Sequence, residues 1–351
     1  MAIPLRSPNR LDWRGLLLVG GLALAGTVAF QGSRGLFETT EGRYAECARE
    51  TMASGDYDDP ILNGQPHWTK PPLTYMAIMA GTRLLGNNPW GVRAYLVAAM
   101  VLAAGAIWLA GSAMWGPQAG KWAGIVFATS PFMAGAAGVV SADMPTALWV
   151  AAAMAAFWHG HARQSPGSLL AMWVFLGLGF MTKGPPALLV PIAALPLAAV
   201  LLRRGGVGRF PSWLSWTGLG LFLLVGVLWY AEEAKHTPGL LAYWLGHELV
   251  GRNVSGEFHR NPGLRYAFTM YLPILLLGTG PWLPLVLRRG RPIREWWRSA
   301  GDTPVWAAAA RLSLLAGVAI PFAVFSFSAS KMPLYPGFCI WADRLREHPM
   351  D

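Results

Sequence analysis

Residues 92–115 read VRAYLVAAMVLAAGAIWLAGSAMW. The run is apolar almost throughout and is long enough to cross a bilayer, whose hydrocarbon core takes about 20 helical residues. Working outward from it, eight further apolar runs fall at residues 13–30, 122–140, 145–159, 169–181, 186–202, 216–231, 268–287 and 305–327. The fourth and fifth in chain order, 145–159 and 169–181, are short, so their ends are expected to reach into flanking residues. Composition agrees with this reading. Of 351 residues 54% are hydrophobic and 13% charged, mean hydropathy is +0.37, and 41 Gly, 27 Pro and 18 Trp are spread through the apolar runs. A disordered chain is excluded, and one soluble core could not hide so much apolar surface. The expected fold class is an all-α polytopic membrane protein, a transmembrane helix bundle with interfacial helices.

A net charge of +10, from 28 Lys and Arg against 18 Asp and Glu, first suggests nucleic acid. The arginines cluster between apolar runs, however, where they set topology, so no nucleic-acid partner is expected. Parity fixes the orientation. Residues 73–85 are apolar but short, and carry Arg83. If they lie along the interface, Arg6, Arg10, Arg14, Lys121, Arg163, Arg203, Arg204, Arg209 and residues 288–298, with five further arginines, all fall inside. If they cross, every cationic loop after the first faces outward. The first arrangement satisfies the positive-inside rule. The two cysteines, Cys47 and Cys339, lie far apart without histidines at metal-site spacing, so neither a disulfide framework nor a zinc finger is indicated.

This topology places two polar stretches on the outer face. Residues 31–70 carry Glu38, Glu41, Glu46, Glu50, Asp56, Asp58 and Asp59 against Arg34, Arg43, Arg49 and Lys70. Residues 41–53 are good helix formers, with Thr39 or Thr40 as cap. Two readings stand side by side: an interfacial amphipathic helix with solvated acids, or a site in which Glu38 and Glu41 act as base or metal ligand. Lys70, before Pro71 and Pro72, either snorkels to headgroups or binds phosphate as a point charge. Asp143 is an N-cap or a site acid, and Lys183 stands at a hairpin tip between two spans. The second outer stretch, 232–265, holds His247-Glu248 and Glu257-Phe258-His259-Arg260, with Arg252, Arg260 and Arg265 suited to an anionic lipid head.

Glu41-Gly42-Arg43-Tyr44-Ala45-Glu46, followed by Met52-Ala53-Ser54-Gly55-Asp56, Leu62-Asn63-Gly64 and Lys70-Pro71-Pro72-Leu73, resembles the first periplasmic loop of the polyprenyl-phosphate-dependent GT-C glycosyltransferases. Within the dolichyl-phosphate-mannose protein mannosyltransferase superfamily the likeness is closest to bacterial family 39 members and lipid A 4-amino-4-deoxy-L-arabinose transferases. Asp143, Thr182-Lys183-Gly184, Phe258-His259-Arg260-Asn261-Pro262 and Ser330-Lys331-Met332-Pro333-Leu334-Tyr335 extend it in family order over residues 13–335. The resemblance implies a bacterial inner-membrane enzyme with a periplasmic active site. It implies an undecaprenyl-phosphate sugar as donor, a lipid or protein acceptor, and inversion at the anomeric carbon. It implies Glu41, Glu38 and Asp143 as catalytic acids, and Arg43, Tyr44, Lys70, Lys183, Arg260 and Lys331 as substrate ligands. His259 is the implied ligand of a divalent metal.

Two positions depart from the family pattern. The family often has Asp where this chain has Thr40, and Glu where it has Thr69, so one acid and one metal ligand are replaced. Residues 336–351 end in a charged tail where longer relatives continue into more spans and a periplasmic domain. The tail reads as a truncation that would impair activity. The rival reading is a non-catalytic binding or transport protein for polyprenyl-linked sugars, built on the same outer cavity.

Overall fold

The computed structural model describes residues 12–29, 31–206, 214–255, 261, 263–284, 305–329 and 331, excepting the side chains of 38, 39 and 252–255. Residues 332–351, which include the tail 336–351, lie outside these residues, as do His259 and Arg260.

Helix α1 (Trp13–Val28) starts where the Asp12 carboxylate accepts from the Gly15 amide at 3.0 Å. A π turn at Glu38–Gly42 leads into α2 (Arg43–Ser54), which ends on Gly55 in the left-handed region at φ 76°. Strands β1 (Ile61–Leu62) and β2 (Gln65–Pro66) then pair antiparallel, Ile61 with Pro66 and Leu62 with Gln65. Their turn runs through Asn63 and Gly64 with φ of 55° and 70°, the positive pair that a tight hairpin requires. Next come α3 (Leu73–Leu85) and α4 (Pro89–Trp115). Helix α4 is opened by Pro89 at its first position and by Asn88, whose side chain accepts from Gly91 N.

The single run expected at 122–140 is two helices, α5 (Pro117–Ala128) and α6 (Pro131–Ala136). Pro131 has no N–H to give to a preceding turn, so the helix stops before it. The two short runs are lengthened as expected, to α7 (Asp143–Arg163) and α8 (Pro166–Lys183). A 3₁₀ turn, Pro185–Leu188, enters α9 (Leu189–Arg204). Helices α10 (Trp216–Phe222) and α11 (Leu228–His236) are joined by a π turn at Leu223–Val227. The short α12 (Leu240–Ala242) runs into a π-helical stretch, Tyr243–Ser255. The run expected at 268–287 begins earlier, with α13 (Leu264–Tyr266), a π turn and α14 (Leu272–Gly278); its end lies beyond the described residues. Helix α15 (Val305–Phe327) is the last described.

Four described helical segments are long and apolar enough to cross a membrane on their own: Pro89–Trp115, Pro185–Arg204, Trp216–His236 and Val305–Phe327. Trp13–Val28, Leu73–Leu85 and Leu264–Gly278 are shorter apolar helices. Helix α4 is the centre of the bundle, packed on by α1, α3, α5 and α7, while α8 lies on α7 and α15 on α9. The core is built of small residues with a few large plugs. Ala99, Ala103, Ala106 and Ala110 of α4 and Ala151, Ala153 and Ala155 of α7 are buried, which lets helix backbones approach closely where lipid gives no hydrophobic drive between helices. Trp158 plugs the far end, edge-on to Trp306 at 5.3 Å. Where α8 meets the π turn, a Cβ on Gly226 would stand 3.0 Å from the Gly177 Cα, so a larger residue would push the two backbones apart. Leu17, Leu102, Ile192, Phe268 and Leu277 are exposed on the outside, as a lipid-facing surface requires.

Candidate active site

The loop after α1 is fastened to the bundle at one carboxylate. Glu41, in the π turn, has no solvent exposure. Its oxygens accept from Arg93 Nε at 3.1 Å and Nη2 at 2.8 Å, and from Arg34 Nη1 at 2.7 Å. They also accept from the backbone N–H of Phe37 at 3.1 Å and of Val140 at 2.9 Å. Arg93, fully buried in α4, uses its remaining donors on the carbonyls of Gln31, Arg34 and Gly35. Burial alone would raise the Glu41 pKa. The two guanidinium groups and two amides overcome it and hold the carboxyl down at about 2. A carboxylate so stabilised and so enclosed is a weak base; what it does well is tie residues 31–41, α4 and the 137–140 turn into one block.

Behind this anchor α2 lays its buried face, Tyr44, Cys47, Ala48 and Thr51, against α3. The Tyr44 and Tyr75 rings are 5.5 Å apart, and His67 stands edge-on to Tyr75 at 6.3 Å. His67 Nε2 and the Thr69 hydroxyl are 2.6 Å apart. Burial lowers the His67 pKa, and the nearby charges of Arg43 and Lys70 lower it further against the opposing pull of Glu248. Arg43 itself is exposed. Lys70 donates to its neighbour's carbonyl, Thr69 O, at 2.7 Å, and forms an ion pair with Glu248 of the π-helical stretch at 3.6 Å. The indole N–H of Trp244 donates to the Trp68 carbonyl at 2.9 Å, closing the same seam.

The two hairpin tips are tied to each other, and one of them to the helix that follows Lys70. Lys183, at the end of α8, is ion-paired with Asp143, at the start of α7, with side-chain exposures of 10% and 17%. Thr74 donates its hydroxyl to the Thr182 carbonyl at 3.4 Å, joining the turn after Lys70 to the tip that carries Lys183. Gly184 makes that tip possible: its φ of 75° is open to glycine at no steric cost. The Tyr95 hydroxyl accepts from Ser141 N at 3.0 Å and donates to Ser141 O at 2.9 Å, fixing the approach to Asp143. Lys331 is buried, donates to Ser328 O at 2.7 Å, and accepts at its own carbonyl from Asn261 at 3.2 Å. Phe325, near the end of α15, shares a buried cluster with Val190 of α9, which puts Lys331 at this end of the bundle too.

The helix bundle superposes on solved structures. ArnT from Cupriavidus metallidurans, bound to undecaprenyl phosphate, superposes with a TM-score of 0.78 at 24% identity, covering 95% of this chain and 59% of that one. The apo oligosaccharyltransferase of Archaeoglobus fulgidus superposes at 0.54 with 11% identity, covering 96% and 50%. The fold is that of the GT-C glycosyltransferases.

The sequence comparisons point the same way. Residues 69–230 match the family model described as dolichyl-phosphate-mannose-protein mannosyltransferase. The chain is 33% identical over 312 residues to the undecaprenyl phosphate-alpha-4-amino-4-deoxy-L-arabinose arabinosyl transferase of Edwardsiella ictaluri, covering 86% of this chain and 52% of that protein. It is 28% identical over 342 residues to the enzyme of that name from Pseudomonas aeruginosa, covering 95% and 58%. The chain thus spans about half the length of the curated relatives it matches.

Of the residues singled out from sequence, Glu41, Arg43, Tyr44, Lys70, Asp143, Lys183 and Lys331 gather at one end of the GT-C bundle. The Glu38 side chain, His259 and Arg260 lie outside the described residues. Among the described residues no three His, Cys, Asp or Glu side chains come together as a metal site. Thr69, where the family often has Glu, bonds His67 instead, so the described residues do not supply the donor set that the implied metal needs. Sequence reasoning missed Arg93 and Tyr95. Arg93 had a visible signal: an ionisable group at the start of an apolar run is costly in a membrane and marks a buried partner.

Proposed function

We propose that this chain carries the sugar-transfer site of a bacterial inner-membrane glycosyltransferase. It takes a sugar from an undecaprenyl-phosphate-linked donor and gives it, with inversion, to a lipid or protein acceptor on the periplasmic side. The reading rests chiefly on the Thr74–Thr182 contact, which brings two half-buried lysines, each held by a carboxylate, to one seam.

The chemistry follows from those groups. The acceptor oxygen attacks the anomeric carbon, the bond from that carbon to the phosphate oxygen breaks, and the electron pair leaves on undecaprenyl phosphate. Lys70 and Lys183 stabilise the charge that develops on the leaving phosphate. As the phosphate draws the Lys183 ammonium, Asp143 is released to orient the acceptor and take its proton. Glu41 holds the loop rather than the proton, and Arg43, Tyr44 and Lys331 are assigned to the donor; Glu38 as a second acid and Arg260 as a donor ligand are carried from the family resemblance alone.

Purified protein given an undecaprenyl-phosphate sugar and a lipid A acceptor should release undecaprenyl phosphate. Tight donor binding with no release would support the carrier alternative and reject transfer. Reporters fused near Asp56 and Arg204 should report the periplasm and the cytoplasm; the reverse result would reject the orientation.

A further inference from the structure

Three acids of the first outer stretch that sugar transfer leaves unused meet a glutamate from far along the chain. Asp56, Asp58 and Asp59 follow α2, while Glu233 stands on α11 with only 9% of its surface exposed. The Glu233 carboxyl lies within hydrogen-bonding reach of the Asp59 carboxyl, and Asp58 and Asp56 are near enough for their charges to act on it. Asp59 Oδ1 is enclosed and receives no N–H or O–H donor. The loop is docked on the helix by a separate bond: the Trp229 indole, one turn before Glu233, donates to the Asp58 carbonyl at 2.9 Å. Among the described residues none of the four acids is ion-paired. Arg83 reaches this loop, but lies over the Tyr57 ring and donates to its hydroxyl. Lys235, two residues after Glu233, is paired with Glu232 at 2.7 Å.

Two carboxylates held in contact repel, and burying one of them removes the water that would screen it. The Trp229 bond nevertheless presses the loop onto the helix, so the charges stay together. A cation between the carboxyls would turn the repulsion into attraction. The donors are oxygen, which suits hard cations of the calcium and magnesium kind; water completes their shells where, as here, no third acid closes on the pair among the described residues. We propose that Asp59 and Glu233 form a binding site for a hard divalent cation, which clasps the first outer loop to α11. The site is separate from Lys70 and Lys183 and does not depend on the donor reading. It bears on the seam beside them through one ring: Trp229 lies 5.7 Å from Trp244, whose indole holds the Trp68 carbonyl two residues before Lys70.

Calorimetry on the full chain in nanodiscs of zwitterionic lipid, titrated with calcium chloride at neutral pH, reads the site directly. The expected result is saturable binding with a Kd of about 0.1–1 mM, the range of extracellular calcium modules, weakened about tenfold or more in Glu233→Gln and in Asp59→Asn. Calcium should also slow proteolysis within residues 56–59 of the wild type and leave cleavage of both variants unchanged. No saturable binding by the wild type would overturn the proposal, as would binding that both variants keep in full. Cleavage that follows pH and ignores calcium would show the two carboxyls sharing a proton instead, and would overturn it equally. Should Glu233→Gln fail to fold, Asp59→Asn, on a half-exposed loop, carries the same comparison.

Discussion

Arg93 and Glu41 meet 52 residues apart in sequence with no solvent access to either side chain, joined by Nε to Oε1 at 3.1 Å and Nη2 to Oε2 at 2.8 Å. Two parallel hydrogen bonds to one carboxylate need a planar fork, which only arginine offers. Arg93→Ala should therefore strand a buried carboxylate and destabilise the chain by about 3–5 kcal/mol. Arg93→Lys should recover less than half of that loss. Thermal unfolding in detergent measures both; full recovery by lysine would show that charge alone matters.

The same contact sets an acid limit. The Glu41 carboxyl is held at about 2, against the ordinary value of 4.5, by guanidinium and amide donors that outweigh its burial. With the folded pKa depressed, the stabilisation is complete above the unfolded value and is lost as pH falls through the folded one. Limited proteolysis of residues 31–41 should be unchanged from pH 7 to pH 5 and rise only between about pH 4 and pH 2. Cleavage that already rises near pH 6 would contradict it.

Sugar transfer should divide the site residues by role. Lys70→Ala and Lys183→Ala should each lower turnover by about 10²-fold or more, since each removes a cation facing the departing phosphate. Asp143→Asn should lower kcat with little change in donor affinity. Near wild-type turnover in all three would remove the site from this end of the bundle.

Cys47 reports whether α2 stays docked. Burial pushes its thiol up to about 12, with the Thr51 and Tyr75 hydroxyls beside it. In a Cys339→Ser background, maleimide at pH 8 should leave Cys47 unmodified until denaturant is added. Immediate labelling would show that α2 and α3 do not pack as described.

The bundle was legible because helices in lipid must be apolar and about 20 residues long. Even so, the sequence pattern merged α5 and α6, since Pro131 interrupts hydrogen bonding without interrupting hydrophobicity. The site was legible in its residue types but not in its pairings. Lys183 and Asp143 stand 40 residues apart, and nothing in either local sequence says that they touch. Glu41 is the sharpest case. As a loop acid beside arginines it fits a solvated acid, a base or a metal ligand, and only the count of donors around it, from α4, the loop and the 137–140 turn, shows an anchor instead.

The interruption between α5 and α6 also bears on how the chain is built. Ser130 Oγ donates to the Gly278 carbonyl at 2.7 Å, across 148 residues of sequence. Trp282 Nε1 donates to the Thr129 hydroxyl at 2.9 Å in the same place. A ribosome feeding this protein into the bilayer delivers the gap long before it delivers the partners that close it. These two bonds therefore close only after α14 and the turn behind it have been made.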